Sequence, residues 1–359
     1  MKLRSTVLML LAAILLAGCD PPVSSRVKDN ILYAGDRDDV LGPVPVSIKV
    51  VASSEDEAQE AIAAAFAAMT QANNLFSSYV PNSEISRLNQ SDGRECHVSS
   101  QTAALLARSA EMSELTGGAF DITAGPLIKL WKGPIKAAKL YRELSGTKVE
   151  APKPTLPAKE ALEAARKLVG YKRLTLGPNS AKLETPGMTV DLGGIAKGYA
   201  VDKAIEALKA KGIRNALIDA GGDGYALGTK PGGKPWRIGV QVPDGATGER
   251  LPGVLELSNT AYATSGDYEQ YAEIDGVRYA HIIDPRTGQP SRVAVSVTVI
   301  APDCTTADAL ATGISVLGPV DGVGVAEKVK GVECMVISRQ GEDLKMSVST
   351  GFRNYQTSK

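Results

Sequence analysis

The spacing of apolar positions changes several times along this chain, and each change marks an element. Val44 to Val51 alternates apolar and polar side chains, which predicts a strand with one buried face. From Ser54 the period lengthens. Ile62, Ala65, Phe66 and Met69 recur at helical spacing, and Ser54 with Glu57 has the spacing of a capping box, so a helix runs to about Ala72. Gln101–Thr116 predicts a second helix, stopped by Gly117-Gly118. Residues 129–153 read as a solvated basic helix and loop, a partner-docking patch being the other reading. Pro157 opens a helix that ends near Gly170.

Beyond Gly170 short strands alternate with glycine turns. Strands are predicted at Arg173–Leu176, Lys182–Glu184 and Met188–Leu192, then a helix at Ala196–Lys211. Further strands follow at Ala216–Ala220, Gly224–Gly228, Trp236–Gln241, Val254–Ser258, Ala261–Thr264, Val277–Ile283, Val295–Ile300 and Cys334–Ser338. A helix from about Thr306 to Leu317 lies between the last two. This order, with its many hairpin signals, predicts an α+β fold: mixed, largely antiparallel sheets with flanking helices.

The N-terminus has a different logic. Lys2 and Arg4 precede an apolar run, Leu8 to Leu16, too short to span a bilayer and matched to the core of a signal peptide. The run ends in Leu16-Ala17-Gly18-Cys19, which resembles the lipobox of bacterial lipoproteins. Residues 1–18 are therefore expected to be a signal peptide, with Cys19 lipidated. Residues 19–40 are expected to be a polar tether, and 41–359 the functional domain. Asp20 resembles an inner-membrane retention signal. The expected address is the periplasmic face of the inner membrane, held by the lipid anchor.

Composition narrows the function classes. The chain carries 40 basic and 40 acidic residues; losing Lys2 and Arg4 with the signal would leave it two charges negative. That balance gives no nucleic-acid footprint. Three cysteines remain besides Cys19: Cys96, Cys304 and Cys334. They have no CxxC spacing, and no pairing is assigned. With only two histidines, His97 and His281, a multi-histidine metal site is excluded.

Five segments carry candidate chemistry. In Thr189–Gly198 an apolar run ends at Asp191, two glycines turn the backbone, and a helix begins. Free N–H groups at such a start, with Lys197 nearby, suit a diphosphate; a purely structural turn fits as well. In Ala307–Gly313, Asp308 and Thr312 are i and i+4, on one helix face. A carboxylate and a hydroxyl together are hard ligands suited to Mg²⁺, although Asp308 could simply favour the helix N-terminus. Tyr279–Gly288 places His281, a potential general base, before a Pro-Arg-Thr-Gly turn. Thr116–Gly125 brackets Ala119, Phe120 and Asp121 with glycines, as pocket lining or core. In Phe76–Ser86, Tyr79 could stack on an aromatic ligand.

Taken in order, SSYVPNSEISRLN, TGGAFDITAGPL, DLGGIAKGYAVD, IDAGGD, ATSGDYE, HIIDPRTG and TADALAT resemble the ApbE family of FAD:protein FMN transferases. The resemblance implies an ApbE-like fold with a T-fold-like core. It implies a Mg²⁺-dependent reaction in which an acceptor protein's threonine hydroxyl attacks the FMN-side phosphorus of FAD and AMP leaves. Asp308, Thr312 and a carbonyl near Gly194 would hold Mg²⁺. Tyr79, Ala119, Phe120, Asp121, Asp191, Lys197 and Ile282 would contact FAD, and His281 would handle the threonine proton. The implied acceptors are proteins of membrane redox complexes, such as a sodium-pumping NADH:quinone oxidoreductase or an Rnf-type complex. Two alternatives stay open: an FAD pyrophosphatase giving FMN and AMP, and a non-catalytic flavin-binding lipoprotein. One departure is Leu41-Gly42-Pro43, standing where the family carries Met-Gly-Thr.

Overall fold

Eight strands lie side by side, and their order in space is their order along the chain. They are β1 (Ile31–Leu41), β2 (Val44–Ala52), β3 (Ala216–Ala220), β4 (Asp223–Leu227), β5 (Thr260–Gly266), β6 (Ser296–Ala301), β7 (Glu333–Gln340) and β8 (Asp343–Val348). Every neighbouring pair is antiparallel. The arrangement comes from a computed structural model, which describes residues 31–144, 153–240, 253–267, 271–341 and 343–357. The signal segment 1–18 and Cys19 lie outside the described residues. Five longer helices interrupt the meander. α1 (Glu55–Phe76), α2 (Ser100–Leu115), α3 (Gly125–Leu144) and α4 (Ala196–Ala210) fall between β2 and β3, and α5 (Cys304–Ala326) falls between β6 and β7.

The period of two sorts the sheet into two faces. Ala261, Ala263, Val297, Val299, Cys334 and Val336 join Ile62, Met69, Val201 and Ile314 in the main core, on the helix side. Their neighbours Tyr262, Ile300, Met335 and Ile337 pack instead with Trp236, Leu257 and Phe352. That second face is covered by the hairpin of Trp236–Gly239 with Val254–Leu257. β6 is buried at every position because both its faces are covered.

A third cluster fixes α3. Leu127, Trp131 and Ala138 pack against Ile274, Tyr279 and Ile283. Trp131 stacks on Tyr279 at 5.4 Å, and its Nε1 donates to the Gly288 carbonyl at 3.0 Å. The basic helix expected to be solvated therefore buries one stripe, while its lysines stay exposed. Residues 145–152 of that expected segment lie outside the described residues.

Three other expectations change. Residues 31–40, expected as part of the tether, belong to β1, an edge strand. Its charges, which read as tether, suit an exposed edge; Arg37 pairs with Asp39 at 2.8 Å and lies over the Phe66 ring. Met188–Leu192 forms no strand. The Asn89 side chain takes the ladder's place, donating to Val190 O at 2.9 Å and accepting from Val190 N at 2.7 Å. The long strand expected at Val277–Ile283 is split into Val277–Ala280 and Ile283–Asp284, leaving His281 and Ile282 between them. In α5, Gly318 with φ 78° and Pro319 break the helix after Leu317, where the sequence pattern ends it.

The facing of β2 gives a direct check. Ile48 is fully buried in the main core while its neighbour Lys49 is exposed. Ile48→Ala is expected to cost about 2–5 kcal/mol in urea unfolding, and Lys49→Ala to stay within about 0.5 kcal/mol.

Candidate active site

The site is built where α4 and α5 touch. Gly198 lies on α4, and a Cβ there would stand 2.2 Å from the Cys304 carbonyl oxygen and 2.9 Å from Asp308 Cβ. Only glycine allows this approach. Across it, the Gly198 amide donates to Asp308 Oδ2 at 3.0 Å. Thr312 lies one helical turn further along α5. Its Oγ1 is 2.8 Å from where a Cβ on Gly194 would be, so the hydroxyl rests against that glycine's backbone. The three expected metal-binding positions thus converge.

The donor set is chemically coherent for Mg²⁺. Ser315 and Thr116 bond back to the carbonyls of Ala311 and Met112, at 2.7 and 2.8 Å. The Thr312 hydroxyl makes no such bond among the described residues, which leaves its lone pairs for a ligand. No cluster of three His, Cys, Asp or Glu able to hold a metal occurs among the described residues. A cation here would rest on one carboxylate, one hydroxyl and a carbonyl, with substrate phosphates completing the shell, which suits Mg²⁺.

Some of the amides at both helix starts already have partners. At α4 the capping position is Ile195, which offers no side-chain acceptor. Gly193 N donates to Asp191 Oδ1 at 2.8 Å, so part of the donor set expected to be free for a diphosphate is used internally. At α5, Asp303 accepts from Thr306 N at 2.7 Å. Asp202, reaching across from α4, accepts from Cys304 N and Thr305 N at 2.8 and 2.9 Å, and from Thr305 Oγ1 at 2.5 Å. Burial pushes the Asp202 carboxyl up to about 6, against the pull of these bonds. The first turn of α5 is therefore sealed, and its available oxygens come from later turns.

The remaining positions surround this contact. Lys197 forms an ion pair with Asp223, buried on β4. Its charge is thus partly balanced before any ligand arrives. A Cβ on Gly313 would meet Thr116 Cγ2 at 2.8 Å and Phe120 Cβ at 3.2 Å, so the Thr116–Asp121 loop packs on α5 beside Thr312. Ala119 and Phe120 are buried there. Asp121 turns inward: it accepts from Thr123 N, Thr123 Oγ1 and Tyr171 N at 2.8, 2.7 and 2.9 Å. Burial raises its pKa against those bonds. Ile282 forms a small apolar cluster with Ala119 and Val316. His281, next to it, is half-buried and engaged by a neighbour. Leu41 is half-buried against the main core.

At the rim, Tyr79 is 78% exposed. Lys132 Nζ lies 4.7 Å from its ring centroid and 3.7 Å from Asp191 Oδ2, joining two candidate flavin contacts. Sequence reasoning missed Lys132, because nothing in the pattern separates it from its neighbouring lysines. It also missed Asp223 and Asp202. Asp223 stood in the IDAGGD stretch, but its partner Lys197 is 26 residues away.

The ApbE family profile matches residues 44–336 of this chain. An FAD:protein FMN transferase of Vibrio cholerae is 33% identical over 98% of this chain and 99% of its own length. One of Haemophilus influenzae is 37% identical over 73% of this chain and 74% of its own. Among solved structures, flavin transferase ApbE from Vibrio cholerae superposes with a TM-score of 0.74 at 33% identity, covering 91% of this chain and 99% of its own. The flavinyl transferase ApbE of Pseudomonas stutzeri, in its apo form, gives 0.75 at 30% identity, covering 92% and 98%.

Two outcomes follow from the α4–α5 contact. Gly198→Ala is expected to destabilise the fold by about 1–3 kcal/mol through overpacking. Gly133→Ala, on α3 with open space around it, should be neutral or slightly stabilising in the same urea titrations. Second, the folded Asp202 carboxyl holds its proton up to about pH 6, whereas an unfolded one loses it near 3.8. Between these values the native state binds the extra proton, so this group's contribution to stability falls as pH rises. The unfolding free energy of wild type relative to Asp202→Asn should drop by on the order of 3 kcal/mol between about pH 4 and 7. A difference that does not change with pH contradicts the assignment.

Proposed function

The chain belongs to the ApbE family, and from that premise we propose that it is an FAD:protein FMN transferase that moves FMN from FAD to a threonine hydroxyl of an acceptor protein and releases AMP. The observation that carries this reading is the convergence of Asp308, Thr312 and Gly194 across the α4–α5 contact, beside the Ala119–Ile282–Val316 cluster. Asp308, the Thr312 hydroxyl and the Gly194 carbonyl would hold Mg²⁺. Bound there, the ion polarises the diphosphate oxygens and offsets the charge that builds on the leaving phosphate.

The chain's own residues do the rest. Tyr79, its ring faced by Lys132, gives a flat exposed surface on which the flavin dinucleotide stacks. Asp191 fixes the glycine turn over which the diphosphate lies. Lys197, held by Asp223, adds a positioned charge at that turn. His281 takes the proton as the threonine oxygen attacks the FMN-side phosphorus. The new P–O bond forms there, the bond to the bridging oxygen breaks, and AMP leaves with the electron pair.

The proposal includes an address. Cys19 carries the lipid that holds the protein at the periplasmic face of the inner membrane. Tethering there raises its effective concentration toward acceptors in membrane redox complexes, of the sodium-pumping NADH:quinone oxidoreductase or Rnf type.

The test is intact mass of candidate acceptors after incubation with the chain, FAD and Mg²⁺. A gain of one FMN per acceptor is expected, mapped to a threonine. Free FMN with no labelled acceptor contradicts transfer and favours hydrolysis. Asp308→Ala is expected to slow FAD turnover by about 100-fold or more, the order set by losing a metal ligand's several kcal/mol; unchanged turnover removes Asp308 from the metal site.

A further inference from the structure

We infer that the surface groove beside His281 and Ile282 is the docking site of the acceptor protein, entered by an extended segment that sets an acidic side chain on Arg292 and an apolar one on Val293. The inference rests on the transferase reading and names the partner surface of that same site. The groove holds about 430 Å³ and is lined by Asp284, Thr287, Gln289, Arg292, Val293 and Val316. Helix geometry gives its position. Asp308, Thr312 and Val316 are four residues apart on α5, so they stack along one face. Val316 therefore lies one turn beyond Thr312, about 5.4 Å along the helix. It also closes the apolar cluster with Ala119 and Ile282, so this residue borders the candidate flavin contacts as well as the groove.

A macromolecular nucleophile adds a constraint that a small one lacks. Its hydroxyl must reach bonding distance of phosphorus while its backbone stays outside the nucleotide site. The backbone therefore has to run within about one side chain's length of Thr312, and the groove begins at that distance. Its walls are already fixed. Ser291 N donates to Ile282 O at 2.8 Å, and Ser291 Oγ donates to Ser315 O at 2.7 Å. Arg286 donates to both Asp284 oxygens, at 2.9 and 3.0 Å, so those charges cancel.

Arg292 differs from Arg286. It is exposed and has no carboxylate partner among the described residues. Its guanidinium sits 4.5 Å from the Tyr279 ring centroid, and Tyr279 is itself stacked on Trp131. A guanidinium held over a ring keeps its donors in the plane facing outward, ready for a carboxylate. Next to it Val293 is 47% exposed, an apolar side chain at the mouth of a polar groove. One held cation followed by one apolar contact selects a segment with the complementary order.

The test uses the whole chain with FAD, Mg²⁺ and two synthetic peptides. One carries a single threonine flanked by aspartates, and the other is identical with lysines in their place. Arg292→Glu and Val293→Asp change solvent-facing groups outside the proposed catalytic set. Each is expected to raise the KM for the aspartate peptide about tenfold, with FAD binding, read by flavin fluorescence, unchanged. Arg292→Glu is expected to accept the lysine peptide better than wild type does. Equal peptide KM in wild type and both variants, with FAD still bound, overturns the docking site alone. FAD affinity falling in step with peptide KM also overturns it, because these residues would then act through the flavin. If wild type labels neither the peptides nor any protein acceptor, the transferase reading falls and takes this inference with it.

Discussion

The whole site depends on one close approach between two helices. Gly198 has no side chain, so α5 can press its Asp308 against the start of α4 and accept a hydrogen bond from the Gly198 amide. A methyl group at that position would meet a backbone carbonyl, which cannot rotate away. Gly194 repeats the device one turn earlier, giving the Thr312 hydroxyl a seat against bare backbone. Two glycines on α4's side and two oxygens one turn apart on α5 thus set the distances of the centre. The sheet's role is to hold the pair: α4 leads into β3, and α5 joins β6 to β7.

Sealing of α5's first turn is the complementary constraint. Helix starts attract anions, and a diphosphate-handling site with an open helix start could bind its substrate in the wrong place. Asp303 and Asp202 use up the first amides of α5. The carboxylate of Asp202 is buried to do this, which costs stability at neutral pH. The same logic explains Asp121, whose oxygens are spent holding the loop that carries Ala119 and Phe120. Buried carboxylates here build the frame, and Asp308 is the one whose neighbours are the Thr312 hydroxyl and a glycine turn.

Much of this was legible in the sequence. Asp308 and Thr312 could be paired because i and i+4 share a helix face, and the strand patterns located six of the eight strands of the large sheet at least in part. What sequence could not carry was long-range pairing. Lys132 looks like the other lysines of α3 until the fold sets it between Tyr79 and Asp191. Val190 has strand-like neighbours, yet its ladder is a single asparagine side chain 101 residues away. β1 was misread because its charges suit an exposed edge as well as a tether. The split at His281 was hidden because the residues on either side of it are apolar on both counts.

The central claim is that the α4–α5 contact aims the oxygens of Asp308 and Thr312 at a cation. Calorimetric titration of Mg²⁺ into the protein saturated with a non-cleavable dinucleotide tests it most directly, in wild type and Thr312→Val. Valine keeps the shape of threonine and replaces the hydroxyl with a methyl group. The account predicts one Mg²⁺ site in wild type whose affinity falls by about tenfold or more in the variant, the loss of one oxygen ligand. Identical stoichiometry and affinity in the two proteins would contradict it.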